Sequence, residues 1–243
     1  MAKVNGLNVR LYVEGYDLSG DANALSGLGY TNELLDVTTL DVEAKKRIVG
    51  IADAEVSVDA WFDAASNRSH AVWTSNSGKQ PTADQEVLIP MGSAVGDPCV
   101  GLVSKQGTYT TTRSPGSAIS ANATYTTSDG SGLEFGVMLT AHDDTHSSAG
   151  SGTVVDGGAA TSNGGAAYLQ IFSLASGSVT VSVQESTSSG GSYTNIVNFS
   201  TVAAAAAPTS ERLVMTGTVA RYLKVTTTGT FSNAKIAVGF TRL

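Results

Sequence analysis

The chain has 243 residues, 27 of them glycine and 57 serine or threonine, with only 14% charged and 7% aromatic side chains. Such small, polar side chains exclude a helix bundle or coiled coil and favour short strands joined by Gly/Ser turns. The net charge of −7 falls entirely in residues 1–142, while 143–243 are balanced. An acidic half of this kind does not grip phosphate backbones, which takes Lys and Arg.

From the N-terminus, Met1-Ala2-Lys3-Val4-Asn5-Gly6 has no apolar core of a leader, so no signal peptide is expected and folding in a cytoplasm is. Asn8–Val13 places Val9, Leu11 and Val13 on one face of a strand. Asp17 to Lys46 is long, irregular and interrupted by Gly20, Gly27 and Gly29. It reads as a loop of functional length. Ala54–Phe62 alternates Val56, Val58, Ala60 and Phe62 against Glu55, Ser57, Asp59 and Trp61, a strand with one face on a core. A helix is expected over Asp63–Ser75 with Asp63 as its N-cap. Further strands are expected at Gln85–Met91, Val100–Lys105, Ile119–Thr127 and Leu133–Thr140. In the last, Leu133, Phe135, Val137 and Leu139 share the apolar face.

Asp143 to Gly165 is the clearest seam, rich in Gly, Ser, Thr and Asp. The expected organisation is a domain at 1–142, a linker at 143–152 and a second domain at 153–243, carried on a flexible tether. The second domain holds short strands at Tyr168–Leu174, Val179–Ser186, Asn195–Phe199, Arg212–Thr216, Tyr222–Thr227 and Lys235–Phe240, the pattern of a β-sandwich. The alanines at 203–207 read as a loop ending at Pro208. The fold class is therefore mainly β, with one helix and two all-β units.

The search for chemistry finds little. His142-Asp143-Asp144-Thr145-His146 is the best metal candidate, but its i, i+4 histidines face one way only on a helix, and the segment opens a Gly/Ser stretch. A solvated linker is favoured, with no metal and no cofactor. His70 reads as a packed or surface residue and Cys99 as a small buried thiol. No nucleophile elbow, P-loop or dinucleotide fingerprint is present. Glu55, Asp59 and Asp63 read as an acidic solvated face rather than a hydrolytic pair. Lys45-Lys46-Arg47 lacks the interleaved aromatics of a nucleic-acid site and suits acids of a neighbouring subunit. No enzyme activity is expected, and no run of 18 apolar residues suggests a membrane helix.

Residues 5–142 resemble the tail tube (major tail) proteins of long-tailed bacteriophages. The resemblance rests on a first strand, a long loop, Asp36-Val37-Thr38-Thr39, and then Arg47 followed by Gly50-Ile51-Ala52-Asp53-Ala54-Glu55-Val56-Ser57-Val58, with Phe62-Asp63 opening a helix. The second part, from Glu211-Arg212 through Gly217–Val225 to Val238–Arg242, resembles β-sandwich appendages of virion proteins. The resemblance implies hexameric rings whose sheets join into an inner β-barrel, and rings stacked into a tube that conducts genome DNA without specific binding. It also implies a loop after the first strand that reaches the adjacent ring, and an outward C-terminal domain. Tape measure and terminator proteins are the implied partners, and the virion, assembled in the host cytoplasm, the implied location. Glu55, Asp59 and Glu134 are the candidate lumen-facing residues, because the excess negative charge lies in their half. The competing reading is a capsid decoration or carbohydrate-binding virion protein.

Overall fold

The computed structural model describes residues 8–41, 43–75, 77–142 and 144–243. The fold is mainly β, built of large antiparallel sheets. The N-terminal half begins with a tight hairpin, β1 (Tyr12–Val13) and β2 (Tyr16–Asp17), then β3 (Ala22–Ser26), β4 (Thr31–Asp36), β5 (Arg47–Asp53) and β6 (Glu55–Trp61). A short helix α1 (Ser69–Trp73) leads to β7 (Gln85–Pro90), β8 (Pro98–Thr112), β9 (Ser120–Thr127) and β10 (Glu134–Met138).

Strand β6 shows why these residues fold as they do. Val56, Val58 and Ala60 are buried, while Glu55, Asp59 and Trp61 stand exposed on the other face. The buried set meets Ala121, Ala123 and Tyr125 of β9, then Leu11, Val13, Trp73, Val87, Ile89, Val100 and Leu102. Each fully buried Val or Leu contributes roughly 1.5–3 kcal/mol to the fold. Trp73 Nε1 donates to the Tyr125 hydroxyl (2.6 Å), which satisfies both polar tips inside this core.

Two expectations for this half are corrected. The segment 17–46 is not an irregular loop: it contains β3 and pairs β4 with β5 in a projecting two-stranded sheet. The helix is only five residues long. The Asp63 carboxylate accepts the Ala65 N–H (2.8 Å) in a local turn, and Asn67 takes a left-handed backbone (φ 64°), so the helix cannot start before Ser69. Its first N–H is capped from elsewhere, by Asp21 Oδ2 at 2.8 Å.

The C-terminal half contains β11 (Thr145–His146), β12 (Gly150–Ser151), β13 (Val155–Asp156), β14 (Gly165–Ser186), β15 (Thr194–Asn198) and β16 (Val202–Ala203). A 3₁₀ turn at Ala204–Ala206 follows, then β17 (Thr209–Met215), β18 (Tyr222–Thr228) and β19 (Phe231–Arg242). The two strands expected at 168–174 and 179–186 are one. Strand β14 pairs with β17 and β19 in its first part and with β15 and β18 in its second. It passes between these sets at Gly177, whose φ of 79° and closeness to the Thr230 carbonyl admit no side chain. Leu169, Ile171, Val181, Val183, Val225, Ile236 and Val238 fill the core between the layers.

The flexible tether is also corrected. Strand β10 pairs with β8 on one side and β19 on the other, so one hydrogen-bonded sheet runs through both halves. Strands β11, β12 and β13, in the Gly/Ser-rich segment, pair with β19 and β18. Small side chains let this segment lie flat on a sheet edge, as where Gly152 N–H donates to the Val225 carbonyl (2.8 Å). A third apolar cluster straddles the seam, with Tyr12, Leu88, Cys99 and Met138 from one half and Ala166, Tyr168 and Ala237 from the other.

Candidate assembly interface

Strands β3, β6, β9 and β8 form a four-stranded antiparallel sheet in that order. Both outer strands have a free edge among the described residues. Strand β3 pairs only with β6, and β8 beyond Ser104 pairs only with β9. Unpaired N–H and C=O groups along such edges invite another strand. Each edge carries a bulge, between Ala22 and Ala24 and between Gln106 and Thr108.

The outer face of this sheet is mostly polar, with Trp61 at one end of β6 and Ala24 of β3 as its apolar members. Register places Glu55, Ser57 and Asp59 beside Thr126, Thr124 and Asn122 of β9, and these beside Lys105, Thr108 and Thr110 of β8. Thr126 Oγ1 donates to Glu55 Oε2 (3.4 Å), and the Thr108 and Thr124 hydroxyls are 3.0 Å apart. Lys105 is drawn to Asp84 (2.8 Å), at the margin of the sheet. Hydroxyls, amides and the carboxylates of Glu55 and Asp59 dominate what remains.

Glu134 does not belong to this face, which corrects its expected place. It is 4% exposed and turned inward. The Arg212 guanidinium grips it through Nε (2.9 Å to Oε2) and Nη2 (2.6 Å to Oε1), and the Tyr168 hydroxyl donates to it as well. Arg212 also reaches Asp129 at 3.1 Å. Burial lowers the Arg212 pKa, but the Glu134 hydrogen bond and the neighbouring charges outweigh it and raise it overall. Burial, then the Glu134 charge, raises that of Tyr168. Strand β10 therefore breaks the expected alternation: Glu134 is buried and Phe135 is 50% exposed.

The β4–β5 hairpin is the other conspicuous surface. Leu34 pairs with Val49 and Leu35 with Ile48, so the two pairs lie on opposite faces. Val49 is 66% and Ile51 81% exposed, and Leu34, Leu35, Ile48 and the tip residue Leu40 are exposed too. Such a density of bare aliphatic side chains marks an interaction surface. Lys45, of the basic cluster, pairs with Asp36 across the base of the tip (3.7 Å).

The remaining candidates place as follows. His146 pairs with Asp144 (3.3 Å) and His142 is buried, whereas Asp143 lies outside the described residues. Among the described residues, no group of three His, Cys, Asp or Glu could hold a metal ion, and no helix is long and apolar enough to cross a membrane. His70 Nδ1 meets the Tyr109 hydroxyl at 2.8 Å. Burial pushes the Cys99 thiol up to about 12, so it stays protonated. Sequence reasoning missed the open edge of β8 and the two-faced hairpin. The aliphatic dipeptides Leu34-Leu35 and Ile48-Val49 were the hairpin's trace in the sequence, and nothing there marked the β8 edge.

No family model matches the chain, and neither does any curated protein. Solved structures do. A chain of the virion of a native gene transfer agent particle is 16% identical, with a TM-score of 0.41, over 55% of this chain and 98% of its own. A chain of the sheath–tube complex of an extracellular contractile injection system is 11% identical, with a TM-score of 0.42, over 56% and 92%. The SPP1 Dit protein, described as a hub adsorption apparatus of phages infecting Gram-positive hosts, is 10% identical, with a TM-score of 0.38, over 96% and 98%.

Proposed function

We propose that this chain is a structural, non-catalytic virion protein that forms the wall of a phage tail tube. The observation that carries the reading is the four-stranded sheet with two free edges and a polar face. In this reading the β3 edge of one copy pairs with residues 105–112 of β8 in the next. Neighbouring strands within the sheet are all antiparallel, so β3 and β8 run in opposite directions. With four strands per copy, each junction is antiparallel too, and the ring closes without an odd seam. Closure leaves this four-stranded sheet without a free edge. Six copies, as the family resemblance implies, supply 24 strands; at about 4.8 Å spacing the wall has a backbone radius of about 18 Å, more when the strands tilt.

The polar face then lines the bore, with Glu55 and Asp59 repelling the phosphates of passing DNA. Beyond about 10 Å this repulsion is screened at 0.1 M salt, so it acts as a local lubricant rather than a barrier. The two-faced β4–β5 hairpin reaches the adjacent ring, where both apolar faces are covered. Tape measure and terminator proteins are the partners inside and at the end of the tube, and the protein resides in the virion after assembly in the host cytoplasm.

Proline substitution on the free edge tests the proposal. In an antiparallel strand, alternate N–H groups face opposite neighbours. Of Thr110→Pro and Thr111→Pro, one breaks the ladder to β9 and the other removes only an outward donor. The variant whose monomer keeps its melting temperature is expected to form no rings in negative-stain images. Normal tubes from that variant would exclude β8 from the subunit junction.

A further inference from the structure

Glu14 and Gly15 form the two-residue turn between β1 and β2, with φ of 52° and 79°. The turn is wedged into the C-terminal half. Gly15 N–H donates to Gln170 Oε1 of β14 (2.6 Å), and a Cβ at Gly15 would lie 2.3 Å from the Thr209 nitrogen of β17. The Glu14 side chain turns back onto β7, where its Oε1 accepts the Glu86 N–H at 2.6 Å. Ser210 of β17 stands over both acids: its Oγ is 3.4 Å from Glu14 Oε1 and hydrogen-bonded to Glu86 Oε2. One hydroxyl has one proton to donate and cannot serve two carboxylates. Both carboxyl groups therefore converge on that single hydroxyl.

The surroundings supply no compensating cation. Among the described residues neither Glu14 nor Glu86 forms an ion pair. Asp84 borders the same cleft as Glu14, but its charge is met by Lys105. Gln170 of β14 and Ser210 of β17 are neutral, and the Tyr125 phenol of β9 is buried and kept protonated by that burial.

We propose that Glu14 holds a proton beside Glu86, and that this proton latches the C-terminal half against the first hairpin. Both halves contribute to the latch, because Ser210 and Gln170 come from one and the two acids from the other. The latch does not depend on ring formation. Burial first, opposed by the Glu86 N–H and reinforced by the Glu86 charge, raises the Glu14 carboxyl to about 7. Its ordinary value is 4.5. Between these values the latched form holds a proton that the opened form has released. Latch stability is therefore full below the lower value, falls as pH rises through the window, and levels off above about 7.

Hydrogen exchange on the full chain tests this, with protection factors corrected for intrinsic base catalysis. Protection of β17 amides should fall on the order of tenfold or more between pH 5 and pH 7, then level off. Amides of β6, remote from the latch, should not follow. Glu14→Gln supplies a permanent donor to Glu86 and should make β17 protection independent of pH, and Glu86→Gln should do the same from the other side. A flat profile in the wild-type protein overturns the proposal. So does the same fall retained in whichever Gln variant folds.

Discussion

Tyr168 donates a hydrogen bond to Glu134 across the seam, from β14 of the C-terminal half to the strand on which the two halves meet. Arg212 closes the arrangement from β17, its guanidinium set over the Tyr168 ring at 5.6 Å. Removing one partner from a buried pair leaves the other charge without compensation. Arg212→Ala is therefore expected to destabilise the chain by about 3–5 kcal/mol, and Glu134→Gln/Arg212→Gln by less. Urea unfolding of both variants measures this; equal stability loss would mean the ion pair is not what fixes the seam.

Gly15→Ala should weaken the fold even though it adds only a methyl group. The backbone there has φ 79°, and the new Cβ would collide with the backbone of Thr209. Strain at such a position costs about 1–3 kcal/mol, with lost docking in addition. A melting temperature equal to that of the wild type would show that the turn is not wedged.

Truncation after His142 is expected to yield aggregated protein rather than slimmer tubes. It removes β19 from β10 and strips the cover from Tyr12, Leu88, Cys99 and Met138. The soluble fraction and circular dichroism of the fragment decide the matter; tubes assembled from it would mean that the N-terminal half folds unaided.

How much of this was legible depended on what each strand faces. Strands β6 and β9 alternate cleanly because one face meets their own core and the other meets water. Strand β10 misled, since the partner that lets Glu134 lie inside, Arg212, is 78 residues away in sequence. The β4–β5 hairpin left no period-two signal because neither of its faces packs on the chain's own core. The Gly/Ser segment read as a tether because composition reports small side chains, not the sheet edges available to them. Glu55 and Asp59 were correctly read as outward neighbours on one strand, an inference that needs only alternation.

Val49→Asp and Leu35→Asp place a charge on opposite faces of the hairpin. Both positions are solvated in the single chain, so its stability should change by no more than about 0.5 kcal/mol. Stacking should fail in each, with rings still formed. Mass photometry and electron microscopy read the two steps separately; tubes from either variant would show that its face stays uncovered.

Glu55→Lys/Asp59→Lys should leave ring assembly intact and slow genome ejection, because the outer face would then attract phosphate. The delay should shrink as salt rises. Single-particle ejection kinetics at two ionic strengths check this, and a map with both positions on the outside of the tube would end the idea.

The shared strand has a mechanical consequence. When the C-terminal half is tugged, the load enters β19 and crosses β10 into β8 through ladder bonds held within one sheet. A tether would stretch and absorb such a pull. Here the sheet itself feels it, so a pull on one half is transmitted as strain to the strands of the other.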